Sequence, residues 1–383
     1  MTLTVSTPVP RPLDEAVPLP VGLAEEALET PALLVDLDVV DGNIHRMQAF
    51  ADREGFALRP HVKSHKSLAM ARRQLDAGAR GVCVATASEA LVMGASETSD
   101  VLVAYPLVGR SKLDRLQQLA AEDRLTLVTD SAQITAGYRD LAARVGRPIR
   151  VLVEVDTGMH RVGASPRHVV DLAADVERGG HLEFAGILTH AGHAHDVPRQ
   201  RDIERVAREE AAIMGSVREE LEAAGFHVRV VSAGSTITSP YLRSGDGITE
   251  IRPGTYIYND LRTAGRHACT LDMIAASMLS TVVSTSGSRV TLDAGSKTLT
   301  SSRDAEHGYG VVVGHEDAVF TRLSEEHGVL GLPKVDGSLS VGDRVRILPI
   351  HVCVWMDLQP EVYGTRGGQV VERITVDAMR HSL

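Results

Sequence analysis

Between residues 30 and 265, short apolar runs alternate with amphipathic stretches. The runs are ALLVDLD (32–38), ALRPHV (57–62), GVCVAT (81–86), DVLVAYP (100–106), LTLVTD (125–130), IRVLVEVD (149–156), LEFAGILTHA (182–191) and HVRVVSAGS (227–235). Their length and β-branched content predict eight strands. Between them, stretches such as DGNIHRMQAFADREG, SLAMARRQLDAGA, KLDRLQQLAAED and RQRDIERVAREEAAIMGSVREELEAAG carry apolar residues at helical spacing, several closed by a glycine in the manner of a C-cap. Eight βα units in roughly 230 residues predict an α/β chain with a (β/α)8 TIM-type barrel. A doubly wound open sheet gives the same alternation, and the pattern alone favours the barrel only modestly. From about residue 265 the texture changes to SMLSTVVSTS, SRVTLDAGS, YGVVVG and DRVRILPIHVCVW, with turn signals VDGS and SVGD. This predicts a separate C-terminal β domain. The expected division is a barrel over 25–264 and a β domain over 265–383, with the segment 1–24 packing on the latter.

A length of 383 residues agrees with two domains, or a barrel plus an appendage. Composition changes the picture mainly by exclusion. The net charge of −10, with no long basic run, argues against nucleic acid or an anionic membrane as partner. Five Phe and one Trp leave little material for base-stacking platforms. Cys83, Cys269 and Cys353 are odd in number, far apart and without a CxxC pair, so a disulfide framework is not expected and a reducing cytoplasm fits. The first twenty residues hold five prolines and lack a basic start followed by an apolar stretch, unlike a signal peptide, and no apolar run approaches 18 residues. Small-molecule chemistry is the expectation.

Reactive residues of a barrel stand at the C-terminal ends of its strands. In RPHVKSHKS, alternation puts Arg59, His61 and Lys63 on one face, with Lys63 pointing into the barrel mouth. Crowding by His61, His65, Lys66 and Arg59 favours the neutral amine that forms Schiff bases. A solvated basic loop is the blander reading, and Lys66 competes as the reactive amine but lies past the strand end. VEVDTGMHRVG places Asp156, His160 and Arg161 on a glycine-bounded loop, where Arg161 binds an anionic oxygen or pairs with Asp156. The spacing of His190, His193 and His195 in THAGHAHD suggests metal on composition alone, although satisfied or exposed histidines are commoner. The turn SAGSTIT and the amides of RPGTY (252–256) have the small residues of phosphate cradles. Lysine and cradles together suggest a barrel that binds pyridoxal phosphate.

The ordered set TPALLVDLD, RPHVKSHKS, GARGVCVATASEA, VEVDTGMHRVG, GILTHAGH, SAGSTIT, TEIRPGTYIYND, DAGSKTLTS, LSEEHG and PIHVC, from about residue 30 to 354, resembles the D-serine dehydratase / D-threonine aldolase family. These are pyridoxal-phosphate enzymes with an alanine-racemase-like barrel. The resemblance implies that Lys63 carries the cofactor, that His190 stacks on its ring, and that Arg161 lies near its phenolic oxygen or the substrate carboxylate. It also implies phosphate contacts from Ser235, Thr236, Gly254 and Thr255 with Tyr256 nearby, and Arg252 facing the pyridine nitrogen. A guanidinium cannot accept a proton, so that nitrogen stays neutral and the ring is a weaker electron sink. IHVCV offers help for the leaving group: His351 and Cys353 alternate onto one face of an expected strand, which alone is usually just a strand pattern, but the resemblance implies that they bind zinc. The resemblance gives His and Cys to the dehydratase branch and His and Asp to the aldolase branch. Manganese and magnesium are alternatives to zinc. Ile237 stands where the family usually has proline, and Trp355 to Asp357 replace a run normally ending in Asn.

The expected activity is metal-assisted dehydration of a D-β-hydroxy amino acid, such as D-serine, D-threonine or a 3-substituted analogue, to a 2-oxo acid and ammonia, with Lys63 taking the α-proton. The rival is retro-aldol cleavage to glycine and an aldehyde, with His193 or His195 helping to deprotonate the hydroxyl. A racemase is a further alternative. A non-catalytic pyridoxal-phosphate carrier would need only the barrel. The resemblance also implies a homodimer.

Overall fold

The computed structural model describes residues 21–95, 100–334 and 337–382. Its strands are β1 (Ala32–Asp36), β2 (Ala57–Leu58), β3 (Val82–Val84), β4 (Val101–Val103), β5 (Leu125–Thr129), β6 (Ile149–Glu154), β7 (Leu182–Leu188), β8 (Val230–Ala233), β9 (Glu250–Ile251), β10 (Ala276–Ser286), β11 (Arg289–Leu292), β12 (Val311–Val312), β13 (Val319–Leu323), β14 (Gly328–Gly331), β15 (Arg344–Leu348), β16 (Glu361–Arg366) and β17 (Gln369–Thr375). Eight of them form a parallel sheet in the order β2-β9-β8-β7-β6-β5-β4-β3. A parallel bridge between His61 and Cys83 joins its two ends into the expected barrel.

Two strands differ from expectation. The run 32–38 does not enter the barrel: β1 pairs antiparallel with β10 and parallel with β16, in the second sheet. ALLVD is a wholly apolar run, and a strand buried on both faces reads the same in either sheet. The eighth barrel strand is β9, only two residues long and flanked by Thr249 and Arg252, which gives no apolar run to detect.

Alternation sorts the barrel side chains. Cys83, Leu102, Val128, Leu152, Ala185 and Leu188 fill the interior, whereas Val82, Val84, Val101, Val103, Val151 and Val153 face the surrounding helices. The first helix, Leu37–Glu54, begins where the Asp36 carboxylate accepts from the amides of Asp38 and Val39, and stops at Gly55 with φ 76°.

The nine-stranded second sheet runs β13-β14-β11-β10-β1-β16-β17, with β15 pairing β10 and β12. Its last hairpin, β16 and β17, was not anticipated from the sequence. It turns at Gly367 and Gly368, both at positive φ (56° and 76°). The expected packing of segment 1–24 lies outside the described residues except at its end, where the Gly22 amide donates to Val370 O at 2.8 Å and Ala24 bridges Gln369. Beyond β17 the chain returns to the barrel mouth: Ala378 N donates to Lys66 O at 2.9 Å, and Asp377 accepts from Leu68 N at 2.7 Å. No helix among the described residues is long and apolar enough to cross a membrane.

Candidate active site

Lys63 does not continue β2. It sits in a 3-10 turn, Val62–Ser64, so strand alternation holds through His61 and then gives way. The turn still delivers Lys63 to the mouth, where its charge acts on His61, His190 and Cys353. Burial, reinforced by Lys63 and Arg252, pushes both His61 and His190 well below the usual imidazole range. Of the basic residues expected to crowd Lys63, His61 feels its charge, whereas Arg59 and Lys66 turn to carboxylates. Arg59 turns down into the barrel and pairs with Glu250 and Asp100, each at 2.8 Å. Lys66, left-handed at φ 53°, is buried and paired with Asp357 at 2.6 Å and Glu89 at 3.3 Å. Its amine is therefore committed, and Lys63 is the amine available in the mouth.

His65 is fixed beside them. Its Nδ1 accepts from Ser67 N at 3.1 Å, which leaves Nε2 to donate to Gln74 Oε1 at 3.1 Å. Gln74 in turn donates to the Tyr256 hydroxyl at 2.9 Å. Burial pushes His65 down to about 4. Three imidazoles thus stay neutral in the fold while their unfolded counterparts take up protons below about pH 6.5. The unfolded state then binds more protons in acid, so stability falls as pH drops from about 6.5 toward 4. Urea unfolding should show a lower midpoint at pH 5 than at pH 7; an unchanged or higher midpoint at pH 5 contradicts the neutral assignment.

Arg252 and Glu154 stand at the inner ends of β9 and β6. Arg252 is buried and donates to Ser232 Oγ at 2.6 Å and to the Thr189 carbonyl. Burial pushes Glu154 up to about 7 against the pull of Arg252 and Arg161, and its Oε2 has no hydrogen-bond partner. The loop after β6 folds on Asp156, which accepts from Gly158 N, His160 N and His160 Nδ1 at 2.9, 3.0 and 2.7 Å. Asp156 is spent on His160, so the Arg161–Asp156 pair weighed as an alternative does not form. Arg161 is exposed at the rim, in a small cleft shared with Glu154 and His190.

The two expected phosphate turns meet. Tyr256 N donates to Thr236 Oγ1 at 3.1 Å, and Ser235 N donates to Thr238 Oγ1 at 2.8 Å. A Cβ on Gly254 would come within 2.8 Å of His61 O and 2.9 Å of Ser64 Oγ, so this position admits only glycine without movement. Gly234, at φ 78°, donates its amide to the buried carboxylate of Glu210 at 3.2 Å. Ile237 packs with Ala191, Ala194 and Val206 beneath the turn rather than in the mouth.

His351 and Cys353 come together, but not on a strand. β15 ends at Leu348 before Pro349, and the residues Val352–Met356 form a short helix with His351 as N-cap. The Cys353 thiol lies 3.4 Å from Ser64 Oγ, next to Lys63, and 3.9 Å from Thr255 Oγ1. Against burial, which disfavours charge on both groups, their mutual hydrogen bond raises the His351 pKa and lowers that of Cys353. Asp260 receives the Val352 amide at 3.1 Å and so sets the start of this helix. The three histidines of THAGHAHD separate: His190 faces Lys63, and His195 lies beside His351. His193 packs near Gly158, with Nδ1 buried and unpartnered. Among the described residues no group of three or more His, Cys, Asp or Glu side chains is arranged to hold a metal. Trp355 is fully buried in the core of the second sheet, and Asp357 is tied to Lys66.

Sequence reasoning overlooked Ser64, Glu154, Glu210, Ser232, Glu250 and Asp260. Glu154 carried a readable signal, an acid within the apolar run IRVLVEVD. Glu210 sits among other acids of a charged helix and gave none.

Residues 35–261 match the family model of the alanine racemase N-terminal domain, and residues 275–365 match that of a serine dehydratase domain. The chain is 33% identical to the D-threo-3-hydroxyaspartate dehydratase of Delftia sp. (strain HT23), over 85% of this chain and 91% of that protein. It is 32% identical to the D-threonine aldolase of Arthrobacter sp., over 91% of each. Among solved structures, D-threonine aldolase from Filomicrobium marinum superposes with a TM-score of 0.87 at 30% identity, covering 95% of this chain and 99% of that one. A cysteine-to-alanine variant of D-threo-3-hydroxyaspartate dehydratase in a metal-free form gives 0.86 at 30% identity, covering 92% and 98%. With both of its parts matched in order and the lysine, arginine and thiol brought to one mouth, the chain belongs to the D-serine dehydratase / D-threonine aldolase family, pyridoxal-phosphate-dependent lyases with an alanine-racemase-like barrel.

Proposed function

We propose that this chain dehydrates a D-β-hydroxy amino acid to a 2-oxo acid and ammonia, with pyridoxal phosphate at Lys63 and a divalent metal at His351 and Cys353. The observation that carries the reading is the approach of Cys353 to Ser64 at 3.4 Å, which sets a thiol and imidazole pair against the turn bearing Lys63. The residues suit the cofactor. His61 Nδ1 and Glu154 Oε2 are buried polar atoms without partners, and Gly254 lets the turn at Thr255 lie close against the turn that bears Lys63. A borderline-soft donor pair of imidazole and thiol suits zinc, and two protein ligands leave coordination positions open.

Pyridoxal phosphate, when bound, withdraws electrons from the α-carbon, and a metal ion at the thiol and imidazole supplies a Lewis acid for the β-oxygen. The protein's own groups supply the rest. Lys63 would hold the cofactor, and its Nζ would take the α-proton of the substrate. Ser235, Thr236, Gly254 and Thr255, with the Tyr256 amide already on Thr236, bound the phosphate. His190, kept neutral by burial and by the charges of Lys63 and Arg252, would stack on the ring. Arg161 is free to receive the substrate carboxylate because Asp156 is engaged elsewhere. Arg252 offers only N–H groups to the ring nitrogen and so leaves it unprotonated. Loss of water followed by hydrolysis gives the 2-oxo acid and ammonia.

The second reading is retro-aldol cleavage. His195 beside His351 favours it, since an imidazole there can take the hydroxyl proton, with His193 as the other candidate. Incubation with D-serine, D-threonine, D-threo-3-hydroxyaspartate and a β-phenyl analogue, followed by assay of ammonia against glycine and identification of the carbonyl product (oxaloacetate against glyoxylate for hydroxyaspartate), decides between them. Dehydration predicts 2-oxo acid and ammonia in equal amounts; glycine and aldehyde as the sole products would establish the aldolase. The homodimer is read from the family and is tested by light scattering after gel filtration.

A further inference from the structure

Inside the barrel, below the mouth, five side chains of alternating charge and polarity form one hydrogen-bonded column. Asp100 Oδ2 accepts from Arg59 at 2.8 Å, and Arg59 Nε donates to Glu250 Oε2 at 2.8 Å. Glu250 Oε1 accepts from Ser232 Oγ at 2.6 Å, and Ser232 Oγ accepts from Arg252 at 2.6 Å. Arg59, Ser232, Glu250 and Arg252 are all buried. Two guanidiniums face two carboxylates, so the column is electrically balanced, yet among the described residues Arg252 touches no carboxylate itself. Its only side-chain anchor is a hydroxyl.

The polarity of that hydroxyl is fixed. A guanidinium donates and never accepts, so Ser232 must present a lone pair to Arg252 and spend its single hydrogen on Glu250. Glu250 thereby holds the Ser232 rotor in one orientation, and the ion pair to Arg59 holds Glu250. The other bond of Arg252, to the Thr189 carbonyl, fixes one guanidinium nitrogen but leaves the plane free to swing about it. With the hydroxyl in place the plane is held at two points, Nη1 by Ser232 and Nη2 by the Thr189 carbonyl, and among the described residues its other N–H groups have no hydrogen-bond partner.

We infer that Ser232, locked by Glu250, is the positioning residue that aims Arg252 at the ring nitrogen of the cofactor. This rests on the proposed binding of pyridoxal phosphate at Lys63. Ser232 and Glu250 would act through Arg252, to which Ser232 is bonded and Glu250 is linked by way of Ser232.

The test uses the full-length holoenzyme and reads the visible absorbance of lysine-bound cofactor against pH, together with the dissociation constant for pyridoxal phosphate. Ser232→Ala should weaken cofactor binding about tenfold, the loss of roughly one hydrogen bond to a charged group. It should also move the pH at which the visible band titrates. Ser232→Thr keeps the hydroxyl and should restore both. Glu250→Gln lets the Ser232 hydrogen be shared differently and should move the titration in the same direction without deleting a contact to Arg252; this variant decides the matter if Ser232→Ala does not fold. A Ser232→Ala or Glu250→Gln protein that loses thermal stability but titrates at the wild-type pH with wild-type cofactor affinity overturns the inference, because a merely structural role predicts that result. A wild-type chain with no visible band on adding pyridoxal phosphate overturns the cofactor reading itself and this inference with it.

Discussion

Lys63→Ala abolishes the visible absorbance of lysine-bound pyridoxal phosphate and lowers turnover by roughly 10²–10⁴-fold, the range in which a positioned general base contributes. Lys66→Ala keeps the band. The difference follows from what each amine touches: Lys63 stands among neutral imidazoles and a thiol, whereas Lys66 is held by Asp357 at 2.6 Å and Glu89 at 3.3 Å. Removing Lys66 strands the buried Glu89 carboxylate, so its cost is in stability, on the order of 3–5 kcal/mol for breaking a buried pair from one side. Absorbance and borohydride reduction followed by peptide mapping check both variants. A band that persists in Lys63→Ala and vanishes in Lys66→Ala reverses the assignment.

Cys353→Ala and His351→Ala should each cut elimination by about 10³-fold while the lysine-bound band survives. A Lewis acid at a departing oxygen supplies several kcal/mol, and each 1.36 kcal/mol is a factor of ten in rate. Neither substitution alters the turn that bears Lys63, although Cys353 lies 3.4 Å from its neighbour Ser64. Cys353→Asp is the more discriminating change. It exchanges a soft ligand for a hard one, so metal preference should move from zinc toward manganese. Titration of each ion against the apoprotein measures this, and an unchanged preference for zinc would remove Cys353 from the ligand set.

Where the sequence was legible, the periodicity was strong. Seven of the eight predicted runs supply barrel strands because their neighbours are helices of clear amphipathic spacing. The run at Ala32–Asp36 went to the wrong sheet because a doubly buried strand carries no mark of its partners. Glu250–Ile251 escaped because an interior carboxylate, balanced by Arg59, interrupts the apolar pattern that marks a strand. The site was legible as residue types and illegible as contacts. His351 and Cys353 were paired by strand alternation, yet Pro349 ends the strand and a helical turn brings them together instead. Alternation favours Lys63 over Lys66, but the ion pairs that occupy Lys66 are a separate ground that no local pattern reveals. Long-range partners such as Asp357 for Lys66, or Ser64 for Cys353, leave no trace in local pattern because they are set by how the second sheet docks on the barrel.

The most direct test of metal-assisted dehydration is to strip the wild-type holoenzyme with a chelator, verify the metal content by elemental analysis, and follow 2-oxo acid formation from D-threo-3-hydroxyaspartate and D-serine before and after adding back zinc or manganese. The account predicts that the stripped protein keeps its lysine-bound cofactor band, loses elimination by about 10³-fold, and recovers on metal addition. Full elimination by a chain shown to hold no metal would contradict the metal's role and leave a metal-independent dehydration as the better account of the site.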